Sequence, residues 1–244
     1  ACPEAEIDYM IMDLGSLSSV REFATQYAAR GNPLCLLVNN AGIMNTPFRI
    51  TVDGFEEQFQ VNHLSHFLLT HLLLPKLRAA GTARVVCLAS RAHLRWNQKL
   101  NFEEITDATA DSYDGWSAYG RSKTCNILFA KHLATLFPLN EDVPGVSFNS
   151  LHPGLVNTGL LVTGGLSSDT IAGALSVEEG VETTMYLATS PEVRGVSGQY
   201  FARCKVVQGE GAEISQWAQS VEEAQRLFEA SMAMCGITSG TYGL

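Results

Sequence analysis

Short apolar runs alternate along this chain with longer segments in which apolar residues recur at helical spacing. We predict strands at 7–12, 33–38, 84–89, 146–151 and 199–201, and helices at 17–30, 53–80, 116–137, 177–189 and 215–235, with Pro75 kinking or breaking the second helix. Continuous apolar strands suit a parallel sheet that is covered on both faces. Alternation of strand and helix favours the same arrangement. The sequence therefore predicts an α/β fold with a doubly wound parallel sheet, in one domain over residues 1–244.

Composition excludes several classes of function. Of the 244 residues 46% are hydrophobic, which is enough for a large core. The formal net charge is −9 and Lys and Arg form no cluster, so we expect no nucleic-acid partner. The most apolar region, residues 67–74, is interrupted by Thr70 and His71 and is shorter than a membrane helix of about 20 residues. With six scattered cysteines and no signal peptide visible at the start, the expected location is the cytoplasm.

Polar and small residues follow three of the predicted strands at the point where each strand ends. They are the segment 39–42, with the sequence NNAG, then Ser90, and finally Pro153 and Gly154. Ligands of open parallel sheets bind at the carboxyl ends of the strands. The sequence therefore predicts a binding site at this edge of the sheet.

Five motifs in order resemble those of the short-chain dehydrogenase/reductases. They are NNAG at 39–42, Asn62 within QVNHLSHF, Ser90 after a strand, Tyr119-x-x-x-Lys123, and HPG at 152–154. The phrases DGFEEQFQVNHLSHFLLTHLLLPKL, AYGRSKTCNILFAKHLA and SLHPGLVNTGL are similar, more narrowly, to the branch that contains retinol dehydrogenases and the oxidoreductases fused to WW domains. The resemblance covers residues 7–236 and implies a Rossmann-like fold.

The pair Tyr119 and Lys123 has a chemical reading of its own. Residues four apart share one face of a helix, so both side chains are expected to point into the same space. A neighbouring ammonium stabilises a phenolate, so we expect a lowered pKa for Tyr119 and proton exchange with an alcohol or carbonyl oxygen. Ser90 would hydrogen-bond the same oxygen. A hydride must come from, or go to, a nicotinamide, because no side chain carries it.

The resemblance implies further roles. Lys123 would also hold the nicotinamide ribose, and Asn62 would interrupt its helix and bind a water that relays protons to Lys123. The catalytic set is then Asn62, Ser90, Tyr119 and Lys123. The implied cofactor-binding residues, apart from Tyr119 and Lys123, are Asp13 near the adenine, Leu14, Asn39, Asn40, Ala41, Gly42, Pro153, Gly154, Val156 and Thr158.

Each assignment has a structural alternative. Tyr119 and Lys123 form a solvated helix pair in one alternative, and Ser90 merely caps a strand. Asn62 lies among apolar positions and is alternatively a buried structural amide, while Asp13 is alternatively the N-terminal cap of a helix. Three histidines at 63, 66 and 71 have no carboxylate at a suitable spacing, so no metal site is expected.

One part of the family pattern has no counterpart in this chain. The family begins with a strand, a glycine-rich turn, a helix and a second strand, whereas residues 1–14 resemble the approach to its third strand. We therefore expect a sheet without the first β-α-β unit, with a gap or an exposed apolar edge. The sequence is accordingly a fragment of a complete enzyme, a truncated protein that holds its cofactor poorly, or a rearranged binding module.

The function implied is reversible hydride transfer between a nicotinamide cofactor and a lipophilic aldehyde, ketone or retinoid-like alcohol. The cofactor is NAD or NADP, and the resemblance favours NADP. Tyr119 would be the general acid and base, and residues 163–176, rich in Gly and Ser, a lid. The alternatives are an inactive remnant that acts as a binding module and a reductase similar to protochlorophyllide reductases. The resemblance also implies a possible homodimer through the helices at 53–80 and 116–137, and a membrane anchor, where relatives have one, lies upstream.

Overall fold

Five strands form one sheet in the computed structural model, which describes residues 4–139, 145–209 and 211–238. The strands, in chain order, are β1 (Leu36–Asn39), β2 (Ala83–Leu88), β3 (Val146–His152), β4 (Tyr200–Ala202) and β5 (Lys205–Val206). They follow one another across the sheet in this order, β1 to β4 parallel and β5 antiparallel to β4. The α/β fold is confirmed. The strand β5 was not predicted. It has only two residues and directly follows a turn in which Arg203 and Cys204 have positive φ.

Ten α-helical segments are present in the described residues. They are α1 (Leu17–Ala29), α2 (Glu57–Phe59), α3 (Ser65–Ala79), α4 (Glu103–Thr106), α5 (Gly115–Leu136), α6 (Gly159–Thr163), α7 (Ser168–Ala172), α8 (Val177–Thr189), α9 (Gln216–Gln219) and α10 (Val221–Met234). A π-helical turn (Gln60–Leu64) joins α2 to α3, and 3-10 turns lie at Arg91–Leu94, Ala110–Ser112 and Pro191–Val193. The five longest helices correspond to the five predicted ranges, but the helix predicted at 215–235 is divided into α9 and α10, because Ser220 leaves the helical conformation and caps α10.

Side chains of the central strands alternate between two hydrophobic clusters, one on each face of the sheet. Val85 and Phe148 belong to the larger cluster, which α1, α3, α5 and α10 cover. Val86 and Leu151 belong to the smaller cluster, against α8. Helices on both faces leave the central strands nearly free of water, as their continuous apolar sequences predicted.

Two interruptions were expected in the helix at 53–80, one at Pro75 and one at Asn62, and the structure shows the one at Asn62. Pro75 lies inside α3, which continues to Ala79, so the expected break there is wrong. A proline removes a single ladder bond, and the neighbouring Leu74 and Leu77 are buried in the core, which holds the last turn in place. The irregularity is instead the π-helical turn around Asn62.

The strand predicted at 7–12 is wrong. This segment has no regular secondary structure and pairs with no strand among the described residues, and Ile7, Tyr9 and Ile11 are 89%, 86% and 91% exposed. An apolar run becomes a strand only where a neighbour satisfies its backbone groups. In the described residues β1 is the edge of the sheet, and three of its four residues are half-buried, as an apolar edge would be.

The C-terminal helix α10 packs along α5 and covers one of the two helices expected to form a dimer face. Phe228 of α10 makes ring contacts with Phe67 of α3 and His132 of α5. Residues 118–130 of α5 are all buried within this chain. The described length of α5 therefore offers little free surface to a second copy, and a homodimer stays a prediction. No helix in the described ranges is long and apolar enough to cross a membrane.

Candidate active site

A cleft of about 1250 Å³ lies at the carboxyl edge of β1, β2 and β3. Most of the residues singled out in the sequence line it, from strand ends and from α5. These are Asn40, Ala41, Gly42, Ser90, Tyr119, Lys123, Pro153, Gly154, Val156 and Thr158. Three separate strand ends and one helix therefore converge on one space, as the binding rule for parallel sheets predicts.

Four of the predicted residues do not line this cleft. Asn39 is buried, and its Nδ2 donates to Thr70 Oγ1 at 2.9 Å, away from the cleft. Leu14 packs against the core, and Asp13 is exposed on the same turn. Asp13 is not the helix cap either: its Oδ1 accepts from Gly15 N, while Ser16 caps α1. The short Asp13 side chain completes the turn, and Ser16 is the residue placed to reach the helix N–H groups.

Asn62, the fourth, lies just beneath the cleft. Its Oδ1 accepts from Ile43 N at 2.8 Å, and its Nδ2 donates to Ile43 O and to Ser122 Oγ, both at 2.9 Å. Its backbone oxygen, in the π-helical turn, accepts from Asn126 Nδ2 and is bonded to His66 Nδ1, both at 3.0 Å. Asn62 thus holds the end of the NNAG segment against α5. These bonds suit its structural alternative, and a proton relay through Asn62 stays a prediction.

Lys123 is buried and opens onto the cleft. Its Nζ donates to Leu88 O at 3.2 Å, the same oxygen that accepts from Asn126 Nδ2 at 2.9 Å. An ammonium has three N–H donors, so this bond leaves two for the cleft. Burial lowers the pKa of Lys123 to about 8. Asn126, three residues further along α5, was missed in the sequence; the signal was a polar residue on the buried face of that helix.

Tyr119 is almost completely buried at the same point. Burial raises the pKa of its hydroxyl, and a hydrogen bond with Ser90 acts in the opposite direction. The lowering expected from Lys123 is not found, because Lys123 Nζ lies 5.6 Å from the centre of the Tyr119 ring and points to Leu88 O. Tyr119 therefore remains protonated at neutral pH in this state.

Ser90 is fixed by the 3-10 turn that follows it. Its Oγ accepts from Ala92 N at 3.2 Å, and its carbonyl oxygen accepts from His93 N at 3.1 Å and is bonded to His93 Nδ1 at 2.6 Å. Ser90 is thus the N-cap of the 3-10 turn, whereas the structural alternative expected it to cap a strand. Its hydroxyl also forms a hydrogen bond with Tyr119. We refer to Ser90, Tyr119 and Lys123 as the inner wall of the cleft.

A second, mostly apolar part of the cleft lining comes from short elements and from the first turn of α5. We call it the outer wall; it comprises Met44, Arg95, Trp116, Leu160 and Leu161. Met44 and Leu161 pack directly with Tyr119 in one hydrophobic cluster. Asn45 Nδ2 donates to Gly164 O at 2.9 Å and ties α6 to the NNAG side. The lid was predicted at residues 163–176, but the segment that lines this part of the cleft begins earlier, at α6. The sequence analysis therefore missed the apolar residues of this wall.

No group of three potential metal ligands occurs within the described ranges. The histidines at 63 and 66 are wholly buried, and burial lowers the pKa of His63 to about 3 and that of His66 to about 4. Both are therefore neutral at physiological pH. His63 Nε2 is bonded to Ser231 Oγ at 3.1 Å, and its ring packs against Phe59 and Phe129, which makes it a core residue.

The sheet order and the position of the cleft define a Rossmann-like α/β protein. Residues 1–100 match the family model described as short chain dehydrogenase. The polyprenol dehydrogenase of Homo sapiens is 34% identical over 97% of this chain and 71% of its own length. A solved structure of an uncharacterized protein from Mycobacterium paratuberculosis is 30% identical, with a TM-score of 0.66 over 93% of this chain and 74% of that one.

The chain belongs to the short-chain dehydrogenase family, in the branch that resembles retinol dehydrogenases. Retinol dehydrogenase 14 of Homo sapiens is 38% identical to it over 93% of this chain and 66% of that protein. A chloroplast short-chain dehydrogenase of Brassica napus, TIC 32 B, is 39% identical over 84% of this chain and also 66% of its own length. The chain thus spans just under two thirds of these relatives.

Proposed function

We propose that this protein transfers hydride between a nicotinamide dinucleotide and an alcohol or carbonyl compound, with Tyr119 as the general acid and base. The observation that supports this most is the convergence of Ser90, Tyr119 and Lys123 on one point of the cleft, each fixed by burial or hydrogen bonds. Family membership supports the same reaction class. Without such convergence the tyrosine and lysine would be an ordinary helix pair.

The reduction of a carbonyl compound needs a proton donor beside the carbonyl oxygen. Tyr119 remains protonated because burial raises the pKa of its hydroxyl, so it can donate to the oxygen as negative charge develops there. Ser90 Oγ, already close to the tyrosine, would donate a second hydrogen bond to that oxygen. The two hydroxyls would thus bind one substrate oxygen, and the reverse direction would return the proton to Tyr119.

The residues of the inner wall suit a dinucleotide. When bound, a reduced nicotinamide supplies the hydride. Lys123 lines the cleft and has two N–H donors that the bond to Leu88 O does not use, which suits a ribose diol. A Cβ at Gly42 would lie 2.9 Å from Asn62 Oδ1 and 3.3 Å from Lys123 Nζ, so glycine at this position allows Asn62 and Lys123 to approach the NNAG segment closely. We propose NADP over NAD on family resemblance; the roles of Asn40, Ala41, Pro153, Gly154, Val156 and Thr158 in binding it are proposed on their position.

The substrate proposed is lipophilic. Apart from Arg95, the outer wall is built of Met, Leu and Trp side chains, which bind hydrocarbon and exclude water. Among the relatives are a retinol dehydrogenase and a polyprenol dehydrogenase, names that denote long apolar alcohols. The cytoplasmic location stays a prediction.

The test is turnover of a medium-chain aldehyde with NADPH and with NADH, compared between the natural protein and Tyr119→Phe. We expect the variant to lose at least about a thousandfold in kcat and to keep its cofactor affinity. The matched control is Tyr186→Phe, since the Tyr186 hydroxyl bonds Glu192 outside the cleft. Equal activity in Tyr119→Phe contradicts the mechanism. Cofactor binding without turnover of any alcohol or aldehyde favours the binding module.

A further inference from the structure

Arg95 is an unexpected residue in an apolar wall. Its guanidinium carbon lies 5.1 Å from the centre of the Trp116 ring, and that ring meets the Tyr119 ring edge-on with centroids 6.2 Å apart. The cation therefore stands one aromatic ring away from the hydroxyl proposed to bind the reacting oxygen. A purely hydrocarbon substrate would gain nothing from a cation at this position.

Among the residues that the structure describes, the positive charge of Arg95 has no ion-pair partner. Within the part of the chain that the structure describes, no carboxylate lies within 4.0 Å of its guanidinium. Asp114 is influenced by the charge of Arg95, but its carboxylate caps α5 by accepting from Ser117 N at 2.7 Å. In contrast, Arg91, which also lines the cleft, is paired with Glu213 at 2.9 Å.

We propose that Arg95 binds a carboxylate of the substrate, so that the preferred substrates are aliphatic aldehydes or ketones with a carboxylate at the far end of a medium-length chain. The inference rests on the proposed function, since it takes the reacting carbon to lie at Tyr119. The hydrocarbon would lie along Trp116 and the leucines of α6. A single available guanidinium matches a monoanion in the bidentate geometry of carboxylates, whereas a phosphate dianion would need a second cation.

The carboxylate site has a direct measure, the ratio of kcat/KM for 9-oxononanoate to that for its methyl ester, with NADPH as reductant. We expect the natural protein to favour the acid about fivefold, a modest factor because Arg95 is exposed to solvent. In Arg95→Met the ratio should fall to about one, and in Arg95→Lys it should be intermediate. The matched control is Arg194→Met, an exposed arginine outside the cleft, in which the ratio should persist.

Binding without chemistry separates this inference from the proposed function. Nonanoate and methyl nonanoate are titrated against the intrinsic tryptophan fluorescence, which includes that of Trp116, in the natural protein and in Arg95→Met. Tighter binding of nonanoate that depends on Arg95 supports the carboxylate site even where no aldehyde is turned over, a result that would refute only the oxidoreductase. Equal affinity for acid and ester, or an unchanged preference in Arg95→Met, overturns the carboxylate site whatever the activity.

Discussion

The two walls of the cleft are held in place in different ways. The polar groups of the inner wall come from the turn after β2 and from α5, and buried hydrogen bonds of Asn126, also on α5, and of Asn62 support them. The outer wall combines residues of a loop, the short α6 and the first turn of α5, and apolar contacts, the contact of Arg95 with Trp116 and a hydrogen bond from Asn45 to Gly164 hold it. This difference suits the proposed chemistry at the inner wall and the proposed choice of substrate at the outer one.

The largest effect is expected from removing the ion pair that joins α5 to the helix leading to Asn62. Arg121 donates to Glu56 and Glu104, and Glu56, fully buried, also caps α2. Leaving Glu56 unpaired costs about 3–5 kcal/mol, so Arg121→Met should lose that much free energy of unfolding in urea. Arg49→Met breaks an exposed pair with Glu57 and should cost less than about 1 kcal/mol. Similar losses in both variants would mean that the inner wall has no special support.

The second largest effect is expected from acid, which should lower the stability of the fold through His66, a residue bonded to Asn62 beneath the cleft. Burial lowers the pKa of His66 to about 4, below its ordinary value of 6.5, so the unfolded chain binds more protons between these values. Stability is therefore lost as pH falls below 6.5, by about 2 kcal/mol for this residue at pH 5. Urea unfolding at pH 7 and pH 5 measures the loss. His66→Gln should show a loss smaller by that amount, and an unchanged loss would mean that His66 is already protonated in the fold.

Cofactor affinity should report the charge of Lys123. Burial lowers the pKa of its ammonium to about 8, so the cation is present below that pH and is lost above it. The dissociation constant for NADPH should therefore rise about fivefold from pH 8 to pH 9 in fluorescence titrations, because the protonated fraction of Lys123 falls from about one half to about one eleventh. Lys123→Met should bind weakly and without this pH dependence. A rise of the same size in that variant would assign the titration to another group.

The smallest effect should come from the outer wall. Leu161→Ala trims a residue that packs with Met44 and Tyr119, so KM for a medium-chain aldehyde should rise about threefold to tenfold, more than kcat changes. Val162→Ala, on the same helix but 65% exposed, is the control and should differ little from the natural protein. If kcat falls in Leu161→Ala by a larger factor than KM rises, Leu161 contributes to the chemical step and not mainly to substrate binding.

The sequence was sufficient for features that depend on local pattern. Apolar runs predicted β1 to β4, and residues at their ends met at one cleft because parallel strands all end at the same edge. The sequence was not sufficient where a segment needs a partner far away in the chain to form a strand. The segment 7–12 has an apolar pattern but no neighbouring strand, and the short β5 exists only by pairing with β4.

The finer geometry of the site had the same limit. The spacing of Tyr119 and Lys123 correctly predicted that both lie at the cleft. It did not predict that Lys123 Nζ donates to Leu88 O, which turns the ammonium away from the phenol. The interruption of the helix at Asn62 was implied by the family resemblance, but helical periodicity alone does not predict the π-helical turn. It is stabilised by partners from α5 and from the NNAG segment. Such contacts join residues far apart in the chain, and periodicity does not encode them.

Transfer of a deuterium label tests the central claim most directly. The protein is mixed with NADPH that carries deuterium at both positions of nicotinamide C4, together with a medium-chain aldehyde, and the alcohol is analysed by mass spectrometry. The account predicts an alcohol one mass unit heavier with the natural protein and with Tyr186→Phe, and almost none with Tyr119→Phe. Unlabelled alcohol, or labelled alcohol formed equally by Tyr119→Phe, would contradict the assignment of the inner wall as the reaction centre.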